Sequence, residues 1–257
     1  MNIFLLLIFS LWSYLTIWFL IAIWFDRNDV ADLAWGLGFI LMAWFFFFLF
    51  GVKSFNGLIV NILVSFWGLR LAWHIFRRLI TKAEDVRYLK WREQWRYFYL
   101  RSYFQVFLLQ GFLLFLIVLP VIVINAGSKT GFDFWLIVGL CLWLFGFIFE
   151  TISDWQLSHY LKNKANRGKL LQSGLWRYSR HPNYFGEVVL WWGLGIGALG
   201  YDHGWIGLLG PITITFLILK VSGIPLLEAK MKTHLDFSEY SQKTNVFIPW
   251  WPRAVKK

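Results

Sequence analysis

The sequence predicts an all-α, polytopic membrane protein of about seven transmembrane helices. Apolar runs long enough to cross a bilayer recur along the whole chain. The composition is 58% hydrophobic and 21% aromatic, with 18 Trp and 27 Phe in 257 residues. Such values exclude disorder and disfavour a soluble domain. The basic residues, finally, crowd into every second connection, the signature of a membrane topology.

The first run, Asn2 to Phe25, has no basic start and no small-residue cleavage site, so it reads as a true span and not a cleaved signal peptide. The seven spans are expected near 3–25, 33–50, 57–76, 104–125, 132–152, 183–200 and 204–221. The fourth ends near Pro120 to Asn125, and Gly127 to Gly131 makes the turn. Pro182 suits the first turn of the sixth, where its missing N–H costs nothing. No repeat or long linker is visible, and residues 1–257 are expected to form one membrane domain. The single Cys141 lies in an apolar run and reads as packing.

Charge sets the orientation. One Lys or Arg follows span 1 (Arg27), eight follow span 3 (Arg77 to Arg101), six follow span 5 (Lys162 to Arg180) and seven follow span 7 (Lys220 to Lys257). The opposite connections carry only Lys53 and Lys129, and Arg70 sits within span 3. The positive-inside rule then places the N-terminus outside and the C-terminal tail in the cytoplasm. The net charge of +11 is thus a topology signal, and no nucleic-acid partner is expected.

Four polar groups stand out, all on the expected cytoplasmic side, where they point to one cavity. Asp26, Asp29 and Asp32 lie where span 1 closes and span 2 opens; Asp29 and Asp32 also suit a helix N-cap. Arg70, His74, Arg77 and Arg78 recur at helical spacing as a basic ladder on span 3. Arg77 and Arg78 also suit plain membrane anchors, whereas Arg70 and His74 lie deeper, where an ionisable group suggests function or an ion pair with Asp32. Glu84-Asp85-Val86-Arg87-Tyr88 then begins an amphipathic interfacial segment.

Glu150, Asp154, Gln156 and His159 form the third group; Asp154 suits an Arg partner, a ribose hydroxyl or a plain helix-end charge. The fourth, Ser173 to Glu187, is the densest. The positive end of the helix dipole meets Arg177, Arg180 and His181, a combination suited to a phosphate-bearing ligand. Asn183 and Glu187 are one turn apart and suit an amide or a ribose. No HExxH, CxxC, GxGxxG or GxSxG is present, so no metal site, soluble dinucleotide domain or serine hydrolase is expected.

The order Asp-Leu-Ala-Trp-Gly (32–36), Gly-Leu-Arg-Leu-Ala-Trp-His (68–74), Glu-Asp-Val-Arg-Tyr (84–88), Ser-Asp-Trp-Gln (153–156) and Ser-Arg-His-Pro-Asn-Tyr-Phe-Gly-Glu (179–187) resembles the bacterial domain-of-unknown-function 1295 proteins. These are similar to the C-terminal region of the steroid 5-alpha-reductases. The Arg-His-Pro-Asn-Tyr-x-Gly-Glu core is shared with sterol reductases and isoprenylcysteine carboxyl methyltransferases. The resemblance covers residues 26 to 252 and implies a multi-pass protein of the bacterial inner membrane. It implies an NADPH cavity open to the cytoplasm, with Asn183 and Glu187 at the nicotinamide end. Asp154 is implied near the ribose or adenine, Tyr178 at the motif's aromatic position, and Glu228 and Tyr240 along the cofactor. Arg77, Arg177 and Arg180 are assigned to its phosphates.

The implied reaction is hydride transfer to a conjugated double bond of a lipid-soluble, steroid- or isoprenoid-like substrate among membrane lipids. A methyltransferase using S-adenosylmethionine is the alternative. The family's catalytic tyrosine aligns with His74, and span 2 holds no Glu; Asp32 is the nearest acid. His74, paired with Asp32 and supported by Arg70, is therefore the expected proton-donating group. The departure weakens the case for a steroid ketone.

Overall fold

Long apolar runs, broken where Asp, Gly and Pro gather, yield a chain of helices. The computed structural model describes residues 3–50, 54–129 and 131–254; Lys53 and the terminal lysines of the charge pattern lie outside them. In chain order the helices are α1 (Ile3–Phe25), α2 (Val30–Phe50), α3 (Phe55–Thr81), α4 (Val86–Gln94), α5 (Phe98–Ser102), α6 (Leu109–Ala126), α7 (Phe134–Lys162), α8 (Pro182–Ala198), α9 (Leu209–Phe216), α10 (Ile224–Met231) and α11 (Phe237–Lys243). No strand occurs among the described residues.

Six segments are long and apolar enough to cross a membrane: 8–25, Val30–Phe50, Phe55–Thr81, Phe98–Ala126, Phe134–Lys162 and Gly204–Met231. With the 17-residue α8, these match the seven expected spans. The chain is a multi-pass membrane protein. The fourth span starts earlier than expected because α5 runs through a π-helical turn, Tyr103–Leu108, straight into α6. The third runs on to Thr81, taking in Arg77 and carrying Arg78 in its last turn.

The chain divides into two compact units. One comprises the chain through Phe132 with Tyr201–Gly207. Its α2, α3 and α6 bury Phe39, Val64, Trp67, Leu114 and Ile117 against one another. Asn61 and Asn125 exchange reciprocal amide bonds of 3.2 and 3.1 Å inside this apolar core. Satisfying each other is what makes two buried amides tolerable there.

The other unit comprises Asp133–Gly200 and Leu208 onward. Asp133 caps α7 by accepting from the Leu136 N–H at 2.8 Å. Helices α7 and α8 pack backbone to backbone. A Cβ at Gly186 would sit 2.6 Å from the Glu150 nitrogen, and one at Gly139 would sit 2.5 Å from the Gly193 carbonyl. Only glycine permits that approach, the small-residue packing familiar between membrane helices. Twenty residues separate Phe134 from Asp154, a rise of about 30 Å, so Asp154 stands at the edge of the hydrocarbon.

Candidate functional site

The close α7–α8 contact sets two polar side chains face to face. Asn183, in the first turn of α8, donates from Nδ2 to Asp154 Oδ1 at 3.1 Å. A carboxylate only accepts, so it fixes which end of the amide faces it. Asn183 Oδ1 is left buried with no hydrogen-bond partner among the described residues. Glu187 follows one turn along α8, half-buried.

The approach to α8 is tightly braced. Trp176 donates from its indole to the Ser153 carbonyl at 3.0 Å, and Tyr240 donates to the Trp176 carbonyl at 2.6 Å. Ser179 forms an isolated parallel bridge with Asn245, and its hydroxyl donates to the Phe247 carbonyl at 2.7 Å. The C-terminal segment is thereby held against the motif. Tyr178 packs its ring on Trp251 and accepts the Trp250 N–H at 3.0 Å.

Arg180 is only 6% exposed and has its donors engaged internally. Nε and Nη2 grip Glu228 at 2.9 and 2.8 Å, while Nη1 donates to the Ser241 and Thr244 carbonyls at 3.1 and 2.7 Å. His181, fully buried, places Nε2 at 2.8 Å from the same carboxylate and stacks on Tyr184. Burial pushes the imidazole below its ordinary pKa, against the pull of Glu228. The neutral ring donates from Nε2 and leaves Nδ1 without a partner among the described residues. Arg180, Glu228 and Tyr240, expected along a cofactor, thus serve as internal braces. A buried guanidinium needs its donors satisfied from within, and this one is. Arg177 remains exposed, and its guanidinium has no partner among the described residues.

The other unit gathers the acidic group. Asp32 accepts from Arg78 at 2.7 Å and from the Tyr88 hydroxyl at 2.9 Å, with Arg87 at 3.6 Å. The expected Asp32–His74 pair is not made. Arg78, one turn farther along α3, reaches the carboxylate, and the His74 ring is exposed. Arg77 is exposed as well, and Arg70 is half-buried. Asp29 serves not as a cap of α2 but as a buried anchor: it pairs with Arg27 at 2.8 Å and accepts the Asp85 N–H at 3.2 Å. Asp85 caps α4 through the Arg87 N–H at 3.0 Å. Burial alone would raise its carboxyl pKa, but its bonds from Arg87 hold it below the usual range.

Tyr88 escaped the sequence reading as a site residue. It is buried, and burial together with Asp32 raises its hydroxyl pKa, so it stays protonated and donates. Its position on the apolar face of α4, three residues after the cap, was the available signal.

The family described as "Protein of unknown function (DUF1295)" matches residues 18–244. An uncharacterized protein of Schizosaccharomyces pombe is 27% identical over 225 residues, covering 74% of this chain and 65% of that protein. The 3-oxo-5-alpha-steroid 4-dehydrogenase 1 of Rattus norvegicus is 29% identical over 121 residues, covering 44% of this chain and 41% of that enzyme. The Bos taurus protein of the same name is 28% identical over 114 residues, with the same coverage. The chain spans less than two thirds of the length of these relatives. No solved structure matches.

Proposed function

The chain belongs to the DUF1295 family, and from that premise we propose that it is an integral-membrane reductase. It uses NADPH to reduce a conjugated double bond in a lipid-soluble, steroid- or isoprenoid-like substrate. The likeness to 3-oxo-5-alpha-steroid 4-dehydrogenases supports the reaction class. The basic ends of the spans support a site facing the cytoplasm of a bacterial inner membrane.

One observation carries the cofactor reading: the orphaned Oδ1 of Asn183. A buried acceptor left unpaired costs about 1–3 kcal/mol, so its native partner is sought in a ligand. A primary carboxamide offers the N–H that this acceptor lacks, and Asp154 holds the amide in the orientation that presents it. The donor set therefore fits the nicotinamide end of NADPH, which when bound supplies the hydride. Arg177, in the same unit as Asn183, keeps its guanidinium free for phosphate oxygens. Arg180 acts indirectly, by fixing the turn that delivers Asn183.

His74 is exposed on α3, free to donate a hydrogen bond to a substrate carbonyl oxygen as it gains negative charge. Asp32 acts through Arg78 and Tyr88, not through His74.

The test is mass spectrometry of the denatured extract of detergent-purified protein, wild type beside Asn183→Ala. NADPH in the wild type and its loss in the variant is the expected result. S-adenosylmethionine or its demethylated product, or the absence of any nicotinamide cofactor after incubation at millimolar concentration, overturns the reading.

A further inference from the structure

The C-terminal turns of α7 and the loop returning toward α8 border an open cleft of about 280 Å³. Gly174 makes the close edge. Its φ of +61° is left-handed, and a Cβ there would lie 2.6 Å from the Gln156 amide. The cleft is separate from the Asn183–Asp154 pair. His159 and Asn163 follow Asp154 by five and nine residues, which turns them about 140° and 180° away around the helix.

The lining is polar; His159 and Tyr160 are its titratable side chains, and it carries no Lys, Arg, Asp or Glu. The loop cations Lys162, Lys164, Arg167 and Lys169 do not line it. Several of its polar atoms are already engaged. Gln156 Oε1 accepts the Leu175 N–H at 3.0 Å, Asn163 Oδ1 accepts the Ala165 N–H at 3.0 Å, and Asn166 Nδ2 donates to the Tyr160 carbonyl at 2.8 Å. What remains open is a mixed set: donors on Gln156 Nε2 and Asn163 Nδ2, an acceptor on Asn166 Oδ1, and the Ser173 hydroxyl, which does both. Trp155, 64% exposed and stacked on His159 with centroids 5.6 Å apart, adds a flat apolar wall.

Two chemistries compete for such a cleft, and the helix decides between them. The C-terminal end of α7 is the negative end of its dipole and repels an anion, so a phosphate is disfavoured where the lining has no Lys or Arg and the neutral His159 ring adds no charge. A group whose every hydroxyl both donates and accepts matches the open atoms, and its carbon face suits an aromatic wall. The volume falls just below the range of drug-sized ligand pockets, roughly 300–1,000 Å³, and leaves room for about one ring. We infer that this cleft is a second ligand site that takes an uncharged polyhydroxylated group, a sugar ring, presented either free or as a membrane-lipid headgroup.

The full chain in a sugar-free zwitterionic detergent provides the test. Saturation-transfer NMR with maltose reads the free sugar, and native mass spectrometry after exposure to monoglucosyl diacylglycerol or phosphatidylglycerol reads the lipid. Transfer to maltose, or selective retention of the glucolipid, supports the site and identifies the source. Trp155→Ala is expected to weaken that binding by about tenfold. Asn163→Asp, which keeps the Oδ1 acceptor and removes the donors, is expected to weaken it as well. Both positions are exposed, so unchanged melting temperatures certify the fold, and Asn183→Ala is expected to leave sugar binding intact. Binding of neither sugar probe, equal binding by both cleft variants, or binding of inorganic phosphate in place of sugar overturns the inference.

Discussion

Arg180 and Glu228, 48 residues apart in sequence, meet as a bidentate pair at 2.9 and 2.8 Å, with His181 on the same carboxylate at 2.8 Å. Removing one member of a buried pair strands the other. Arg180→Ala is expected to destabilise the protein by about 3 kcal/mol in a denaturant titration in mixed micelles. Arg180→Lys should recover little, because an ammonium cannot reproduce the fork. Arg177→Ala, at an exposed guanidinium, should leave the midpoint unchanged; equal losses at Arg177 and Arg180 would refute the brace.

Stability should depend on pH through His181. Its folded pKa lies below the ordinary value of about 6.5 because the ring is buried and faces Arg180, which together outweigh the opposing pull of Glu228. The unfolded chain therefore binds the proton first, and stability rises with pH. The contribution is complete above about pH 6.5 and is lost as acid is added through the folded pKa. Melting midpoints should fall on acidification in the wild type and less steeply in His181→Gln. Parallel curves would assign the acid sensitivity elsewhere.

Asn183→Asp sets two carboxylates where a donor and an acceptor now meet. Cofactor retention should be lost, and the unfolding midpoint should drop. Restoring the midpoint by Asp154→Asn in the Asn183→Asp background, in a denaturant series, would establish that the pair itself carries the effect.

Asp32 should couple to Tyr88 and not to His74. In double-mutant cycles, Asp32→Asn with Tyr88→Phe is expected to show about 1 kcal/mol of interaction. Asp32→Asn with His74→Ala should be additive within about 0.5 kcal/mol. The reverse pattern would restore the Asp32–His74 pairing that the family resemblance implies.

Gly186→Ala brings a methyl group against the backbone of α7. Overpacking of this kind costs typically 1–3 kcal/mol. A loss of stability accompanied by weaker cofactor retention would link the packing to the site.

The spans were legible because each is a long apolar run, and Pro182 marked the start of α8 as its missing N–H dictates. The fourth span was placed late because Arg101 lies within its first turns, in α5 just before the π-helical turn Tyr103–Leu108. Asn183 and Asp154 were each visible as polar residues out of place, but their pairing was not. Helical periodicity relates residues three or four apart, whereas these are 29 apart and meet through glycine packing. The same limit hid the Arg180 clasp and substituted His74 for Arg78 beside Asp32. Spacing named the basic ladder of α3, and side-chain reach chose its rung.

The glycine seam between α7 and α8 has a mechanical consequence. Two backbones touching at Gly139, Gly146, Gly186 and Gly193 cannot slide past one another without carbonyls colliding. They form a single stiff splint. Any motion that displaces Asn183 must carry Asp154 with it, so the amide and its carboxylate travel as one body.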